Sequence, residues 1–218
     1  MKEHRGWWFP EGETHFQKML DKSVAKGGPA RYQYQVRDRS LTYVKNFRVA
    51  LDIGANVGLW SRDLCERFQS VIAFEPVEIF RDCLTKNVNS NKLQVESIAL
   101  GDQATTARMN ITMDNMGHTH IDPASFGNGD TEVRRLDDYN YENIDYIKMD
   151  CEGFEYRIIQ GAKETILRCR PVVVVEQKPH DAYSDQYKQH AAIGLLQEWG
   201  MVRLDQVKDD WIMGWNVK

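Results

Sequence analysis

Between Arg48 and Val217, short apolar runs alternate with stretches whose apolar residues recur at helical spacing. No other feature restricts the fold as much. Val49–Ile53 reads as a strand, and Val57, Trp60, Leu64 and Phe68 as one face of a helix. A second strand, Val71–Phe74, precedes a helix carrying Ile79, Phe80, Cys83 and Leu84, which stops at Asn89-Ser90-Asn91. Leu93–Leu100 is a third strand. Residues 104 to 140 are rich in Gly, Asn and Asp, with a strand pattern only around Arg108–Met113. Order returns with a strand over Asp145–Asp150 and a helix carrying Phe154, Ile158, Ile159, Ala162 and Ile166, expected to bend at Gly161. Val172–Val175 follows, then a helix over residues 187 to 199 stopped by Gly200, then strands over 202–207 and 211–217 joined at Asp209-Asp210.

Strands that alternate with helices form a parallel sheet covered on both faces. An unbroken apolar run such as Val172–Val175 fits burial on both sides. The last two strands, joined by a short turn, must be antiparallel. The expected fold is therefore α/β: a doubly wound, Rossmann-like sheet, mostly parallel, with an antiparallel C-terminal edge hairpin. Residues 1–40 read as an extension to a sheet domain over 41–218. They contain an aromatic, irregular Gly6-Trp7-Trp8-Phe9-Pro10 and a helix with Phe16, Met19 and Leu20 on one face, ended by Gly27-Gly28-Pro29. A strand-like alternation over Tyr32–Val36 follows, with Ser40 as cap of a short helix to Val44. Trp7-Trp8-Phe9 either covers the ligand cleft as a lid or caps the core.

Composition excludes several classes. Net charge is −4, and there is neither a basic track nor an Asp/Asn-Pro-Pro-Tyr/Phe motif, which argues against a nucleic-acid partner. No apolar run reaches 18 residues, so no membrane span is expected. The first residues lack the apolar core of a signal peptide, and the four cysteines form neither Cys-x-x-Cys nor a zinc-like spacing with histidine. A reduced, cytoplasmic chain without a structural metal is expected.

Open sheets of this kind bind ligands at the carboxyl ends of their strands, where the strand order reverses. That edge should carry residues 52–58, Glu75, Gly101-Asp102, residues 150–153 and Glu176-Gln177. The first turn reads Asp52-Ile53-Gly54-Ala55-Asn56-Val57-Gly58. Its glycines permit a tight turn and close backbone approach to a ligand. Similar turns in dinucleotide folds seat a pyrophosphate on the following helix. Here Asp52 would repel a phosphate and favour a positively charged ligand. S-adenosylmethionine, with a sulfonium, an ammonium and no phosphate, meets that requirement. Glu75 follows Gly54 by 21 residues, and an acid about 20 residues on is placed to clamp ribose hydroxyls. NAD shares that feature. Asp102 is placed to accept a hydrogen bond from an adenine amino group.

The segments LDIGANVG, AFEPV, ALGD, IDYIKMDCEGFEYRIIQGA and VVVVEQ together resemble the FkbM family of S-adenosylmethionine-dependent methyltransferases, over roughly Ala50 to Gln177. The most specific piece is Ile144–Glu155. The resemblance implies that Asp52, Gly54, Ala55, Asn56 and Gly58 grip the methionine portion of the cofactor. Glu75, with Pro76, would hold the ribose, and Leu100, Gly101 and Asp102 would lie at the adenine. It further implies O-methylation of a small hydroxylated acceptor, with sugars and polyketides the common cases, and S-adenosylhomocysteine as product.

An alcohol is a poor nucleophile, so a base that takes its proton during transfer helps. Asp150 and Glu152 fall at the strand end beside the cleft. Glu152 is favoured to face the acceptor and Asp150 the cofactor or acceptor; the plainer role for either is capping of the next helix. Glu155 reads as a structural or substrate hydrogen-bonding residue rather than a base, and Cys151 as unreactive. In Gly117-His118-Thr119-His120, a histidine, His118 foremost, is a second base candidate. The pair could also join Asp150 and Glu152 around a divalent metal, though solvent-facing histidines account for the stretch most simply and no metal is expected. Two other readings compete: an NAD-type oxidoreductase and a non-catalytic, methyltransferase-like binding domain.

Overall fold

The computed structural model describes residues 1–177 and 190–216. The chain opens with a hairpin, β1 (Lys2–His4) and β2 (Trp7–Phe9), then helices α1 (His15–Ala25) and α2 (Tyr34–Leu41). The regular alternation follows: β3 (Val49–Ile53), α3 (Ser61–Arg67), β4 (Ser70–Phe74), α4 (Glu78–Asn87), β5 (Leu93–Glu96). An insertion holds the short strands β6 (Ala99–Leu100), β7 (Thr105–Ala107), β8 (Met109–Asn110), β9 (His120–Ile121) and β10 (Thr131–Arg134). Then come β11 (Ile144–Met149), α5 (Glu155–Gln160), α6 (Lys163–Cys169), β12 (Val172–Glu176), α7 (Ala191–Glu198), β13 (Met201–Val207) and β14 (Asp210–Trp215).

Seven strands form the central sheet in the order β13-β14-β12-β11-β3-β4-β5. From β5 to β12 neighbours are parallel; β14 runs antiparallel to both β12 and β13. The mostly parallel α/β sheet with an antiparallel terminal hairpin is thus present. The final strand, not the one before it, inserts next to β12. Strand order reverses between β3 and β11, so the ends of these two strands flank the crevice where such sheets bind ligands.

Side chains alternate across the sheet, and this decides which groups meet. Leu51, Ile53, Ile147, Met149, Val173 and Val175 face the layer built on Ile158, Ile159, Ile166, Ile193 and Leu196. Ala50, Val71, Tyr146, Val172 and Val174 face the opposite layer, with Val36, Trp60, Leu64 and Phe68. The register pairs Tyr146 with Ala50 and Lys148 with Asp52. Those two charged side chains therefore emerge side by side on the α3 face.

Several local expectations are corrected. Tyr32–Val36 alternates like a strand, but Tyr34–Leu41 is helical, with Val36, Arg37 and Ser40 buried on one face. The tertiary partner explains this: Arg37 is ion-paired with buried Asp63 of α3, and Ser40 hydrogen-bonds the Tyr146 hydroxyl at 2.7 Å. Trp7–Phe9 is a strand, not an irregular segment, and none of its residues lines the ligand cleft. Trp7 and Phe9 are buried with Val57, Phe80 and Cys83, and Asn87 bonds the backbone of Trp8 in both directions. Leu93–Leu100 divides into β5 of the main sheet and β6 of a small sheet with β10 and β7. The expected bend at Gly161 is a full break between α5 and α6. A Cβ at Gly161 would lie 1.9 Å from the carbonyl oxygen of Gly101, so the helix must part there to let the loop after β6 approach. Among the described residues, no helix is long and apolar enough to cross a membrane.

Candidate active site

The carboxyl ends of β3, β4 and β11 open onto a cavity of about 870 Å3, its open mouth included. Its floor is the turn after β3. Gly54 has φ +74°, and a Cβ there would lie 2.1 Å from the backbone oxygen of Asp150. Only glycine allows the turn and the end of β11 to lie so close. The amides of Gly54 and Ala55 both donate to the Phe74 carbonyl, which ties the turn to the end of β4.

Glu75 extends from β4 into the cavity wall and is 5% exposed. Its carboxylate accepts hydrogen bonds from the amides of Asn56 (2.8 Å) and Val77 (2.9 Å). Burial outweighs these bonds and the nearby Arg81 and Lys148, and lifts its pKa to about 7. The wall continues through Pro76 and through Ile98, Ala99 and Leu100, an apolar strip that a planar ring can cover.

Across the cavity, Asp150 and Glu152 follow β11, and both line it. Glu152 adopts a left-handed backbone (φ +51°) before Gly153 (φ +99°), so the chain turns sharply there. Glu155 caps this turn by accepting the Cys151 amide at 2.6 Å. Asp150, Glu152 and Glu176 at the end of β12 bring carboxylate oxygens within 4.8 Å of one another. An oxygen-only set of this kind is of the type that could hold a hard divalent cation.

Not every expected site residue faces this cavity. Asp52 is wholly buried on the α3 side of β3. It accepts from the Ser61 hydroxyl at 2.6 Å and lies 3.5 Å from Lys148 Nζ. Its charge is neutralised inside the protein, so repulsion of a phosphate by Asp52 is not what defines the ligand. Gly58 packs against Leu84 and Val88 of the α4 region, and Gly101 against Val133 and Phe154. Asp102 is turned to Arg157, which donates to both its oxygens at 3.0 and 2.9 Å. His118 is exposed on a 3-10 turn, because the tight turn Met116–His118 breaks the strand regularity that would align it with His120. It is His120, on β9, that lines the cavity. Lys178, Pro179, His180 and Asp181 lie outside the described residues.

Lys148 was not singled out from sequence. Its ammonium donates to the Gly54 carbonyl at 3.1 Å and lies 3.5 Å from Asp52 and 4.0 Å from Asp150. Burial works against its charge, but Asp52 and Asp150 prevail and its pKa lies above the ordinary lysine value. The signal was present: a lysine inside a strand buried on both faces needs a charged partner. Phe16 and Tyr32, from the first forty residues, also line the cavity, as do Met109, Met116 and Ile121 from the insertion. No local motif marks these residues; long-range packing brings them there.

A seven-stranded sheet of this order, with a glycine turn at the switch point and an acid ending the next strand, is the fold of a class I methyltransferase. Comparison with known proteins gives the family. Residues 52–202 match the model of the methyltransferase FkbM domain, and the chain belongs to that family. A 2-O-methyltransferase, NoeI, from Sinorhizobium fredii (strain NBRC 101917 / NGR234) is 36% identical over 75 residues, 33% of this chain and 30% of that relative. This chain therefore aligns with under a third of that protein's length. The crystal structure of methyltransferase FkbM from Methylobacillus flagellatus KT superposes with a TM-score of 0.51 at 19% identity, over 80% of this chain and 46% of that one. Precorrin 8w decarboxylase from Methanobacterium thermoautotrophicum superposes over the full length of both chains with a TM-score of 0.52 at 12% identity. At such identities the structural likenesses speak for the fold.

Proposed function

We propose that this methyltransferase uses S-adenosylmethionine and transfers its methyl group to a hydroxyl of a small polar acceptor, a sugar being the leading class. One observation carries this reading: a single cavity joins a glycine turn and a buried ribose-type acid, Glu75, to Asp150 and Glu152 after β11, with the Glu176 carboxylate of β12 within 4.8 Å of both. The residues present suit the cofactor. Gly54 and Ala55 offer backbone with little side-chain bulk, the Asn56 side chain is held by the Met116 carbonyl and the Val57 amide, Glu75 offers acceptors for two hydroxyls, and Ile98–Leu100 offer an apolar wall. When bound, the cofactor supplies an electrophilic methyl carbon on a sulfonium.

The chain's own residues do the rest. Lys148 fixes the turn to β11 through Gly54 and sets Asp150 beside it. The sharp backbone turn at Glu152 brings its carboxylate to the cavity, where it would take the acceptor hydroxyl proton as the oxygen bonds to the methyl carbon, while the methyl–sulfur bond breaks and S-adenosylhomocysteine leaves. Asp150 and Glu176 hold the acceptor by hydrogen bonds. Phe16, Tyr32 and Trp60 exclude water from that side. The partial likeness to a 2-O-methyltransferase supports oxygen as the acceptor atom.

The test is calorimetric titration with S-adenosylhomocysteine and with NAD, followed by transfer of labelled methyl groups to a panel of sugars. Micromolar binding of the first and none of the second is expected. Glu152→Gln should keep cofactor affinity and lose about 100-fold or more in methyl transfer, the usual worth of a positioned base. Binding of NAD alone would point to the oxidoreductase reading, and full activity of Glu152→Gln would remove Glu152 as the base.

A further inference from the structure

A second, more open cleft, of about 1350 Å3 with the open solvent at its mouth included, lies beside the cavity, between α1, residues 31–36 and the turn joining β13 to β14. The two are neighbours: Tyr32 lines both. Glu176 lines the cleft, while its carboxylate lies within 4.8 Å of the Asp150 and Glu152 groups that line the cavity. A molecule seated in the cleft at Glu176 therefore lies close to the carboxylates of Asp150 and Glu152.

Charge is distributed unevenly along this cleft. Its inner end holds buried Glu176 and Asp210. Its outer lips hold Lys22 on α1, Lys26 at the C-cap of that helix and Lys208 on the β13–β14 turn, all exposed. Lys22 and Lys26 are four apart and so share one helix face. Arg31 also lines the cleft, but it is committed to Asp63 at 2.9 Å and to Glu66 at 3.3 Å. Asp209 is the exposed acid among the lining residues. On a chain of net charge −4, this lip is a local cationic site.

We propose that this cleft is the acceptor site, and that it selects a hydroxylated small molecule bearing a phosphate or carboxylate at the end remote from the methylated hydroxyl. The inference rests on the methyltransferase reading above and adds the acceptor's charge. The carboxylates at the inner end attract hydroxyl donors and repel an anion. The lysines at the lip attract the anion. The field along the cleft thus fixes the acceptor's direction as well as its affinity. Apart from Glu176, the cleft walls come from residues 19–36 and 207–210, outside the 52–202 region that defines the family. Acceptor choice is thereby separated from the methyl-transfer machinery.

The experiment is titration of the S-adenosylhomocysteine-loaded protein with glucose 6-phosphate, glucuronate and glucose, in wild type and in Lys22→Ala/Lys26→Ala. Both anionic sugars should bind about tenfold or more tightly than glucose, and the preference should shrink as salt is raised. The double variant should lose about tenfold for the anions, keep its glucose affinity and keep its S-adenosylhomocysteine affinity. A charge reversal, Lys22→Glu/Lys26→Glu, should lose more. Equal binding of glucose and the anionic sugars, no binding of any anionic sugar by loaded protein, or an unaffected double variant would each overturn the proposal. A failure of the methyltransferase reading shows up separately, as no binding of S-adenosylhomocysteine by any form.

Discussion

Lys148 Nζ lies 3.5 Å from the Asp52 carboxylate, and both side chains are wholly or nearly buried on the same face of adjacent parallel strands. This pair, with the bond from Lys148 to the Gly54 carbonyl, fastens the ligand turn to the strand that carries Asp150. Replacing Lys148 by methionine leaves two carboxylates, Asp52 and Asp150, without their cation. The expected cost is about 3–5 kcal/mol, read as a lower urea midpoint at unchanged m-value. Because the lysine pKa is raised, its stabilising charge is fully present at neutral pH, so the loss should be as large at pH 7 as at pH 8.

Gly54→Ala should disable the site more than it destabilises the fold. The left-handed backbone costs roughly 1–3 kcal/mol for a residue with a Cβ. The clash with the Asp150 oxygen also forces the turn away from β11. S-adenosylhomocysteine affinity is expected to fall about tenfold or more, measured by calorimetry. Gly194→Ala is the control: a Cβ there meets nothing within 4 Å, and the helix α7 should gain about 1 kcal/mol.

Cofactor binding should strengthen as pH rises through 7. Burial pushes the Glu75 carboxyl up to about 7 in the folded chain, and in its proposed role the ionised form accepts hydrogen bonds from the ribose hydroxyls. Affinity for S-adenosylhomocysteine measured from pH 5.5 to 8.5 should rise and level off above about pH 7.5. The sign for stability is the reverse. A raised acid binds its proton in the folded state before the unfolded one does, so this residue lowers stability as pH rises from about 4.5 to about 7. A pH-independent affinity would show that Glu75 does not contact the ligand as a carboxylate.

Turnover should survive chelation. The carboxylates of Asp150, Glu152 and Glu176 are assigned here to the base and to acceptor binding, so activity after EDTA treatment should match the untreated protein. Loss of activity restored by magnesium would assign the cluster to a cation, which would then lower the acceptor hydroxyl pKa itself.

The sequence alone determined the sheet, because period-2 and period-3.6 patterns and glycine turns are local properties. It also placed Gly54, Ala55, Asn56, Glu75, Pro76, Leu100, Asp150 and Glu152, which all line the cavity, because each sits at a strand end whose position follows from the alternation. What it could not determine was the direction in which polar groups point. Asp52 lies two residues from Gly54, yet side-chain alternation sends it to the α3 face, where Lys148, nearly a hundred residues on, neutralises it. Asp102 is likewise taken by Arg157, and His118 is replaced at the cavity by His120. The cavity walls contributed from outside the sheet were the least legible part. Phe16, Tyr32 and the insertion carry no motif, and Tyr34–Leu41 becomes a helix only against α3 and Tyr146. Local propensity proposes such segments, and long-range burial of their charged and aromatic side chains decides them.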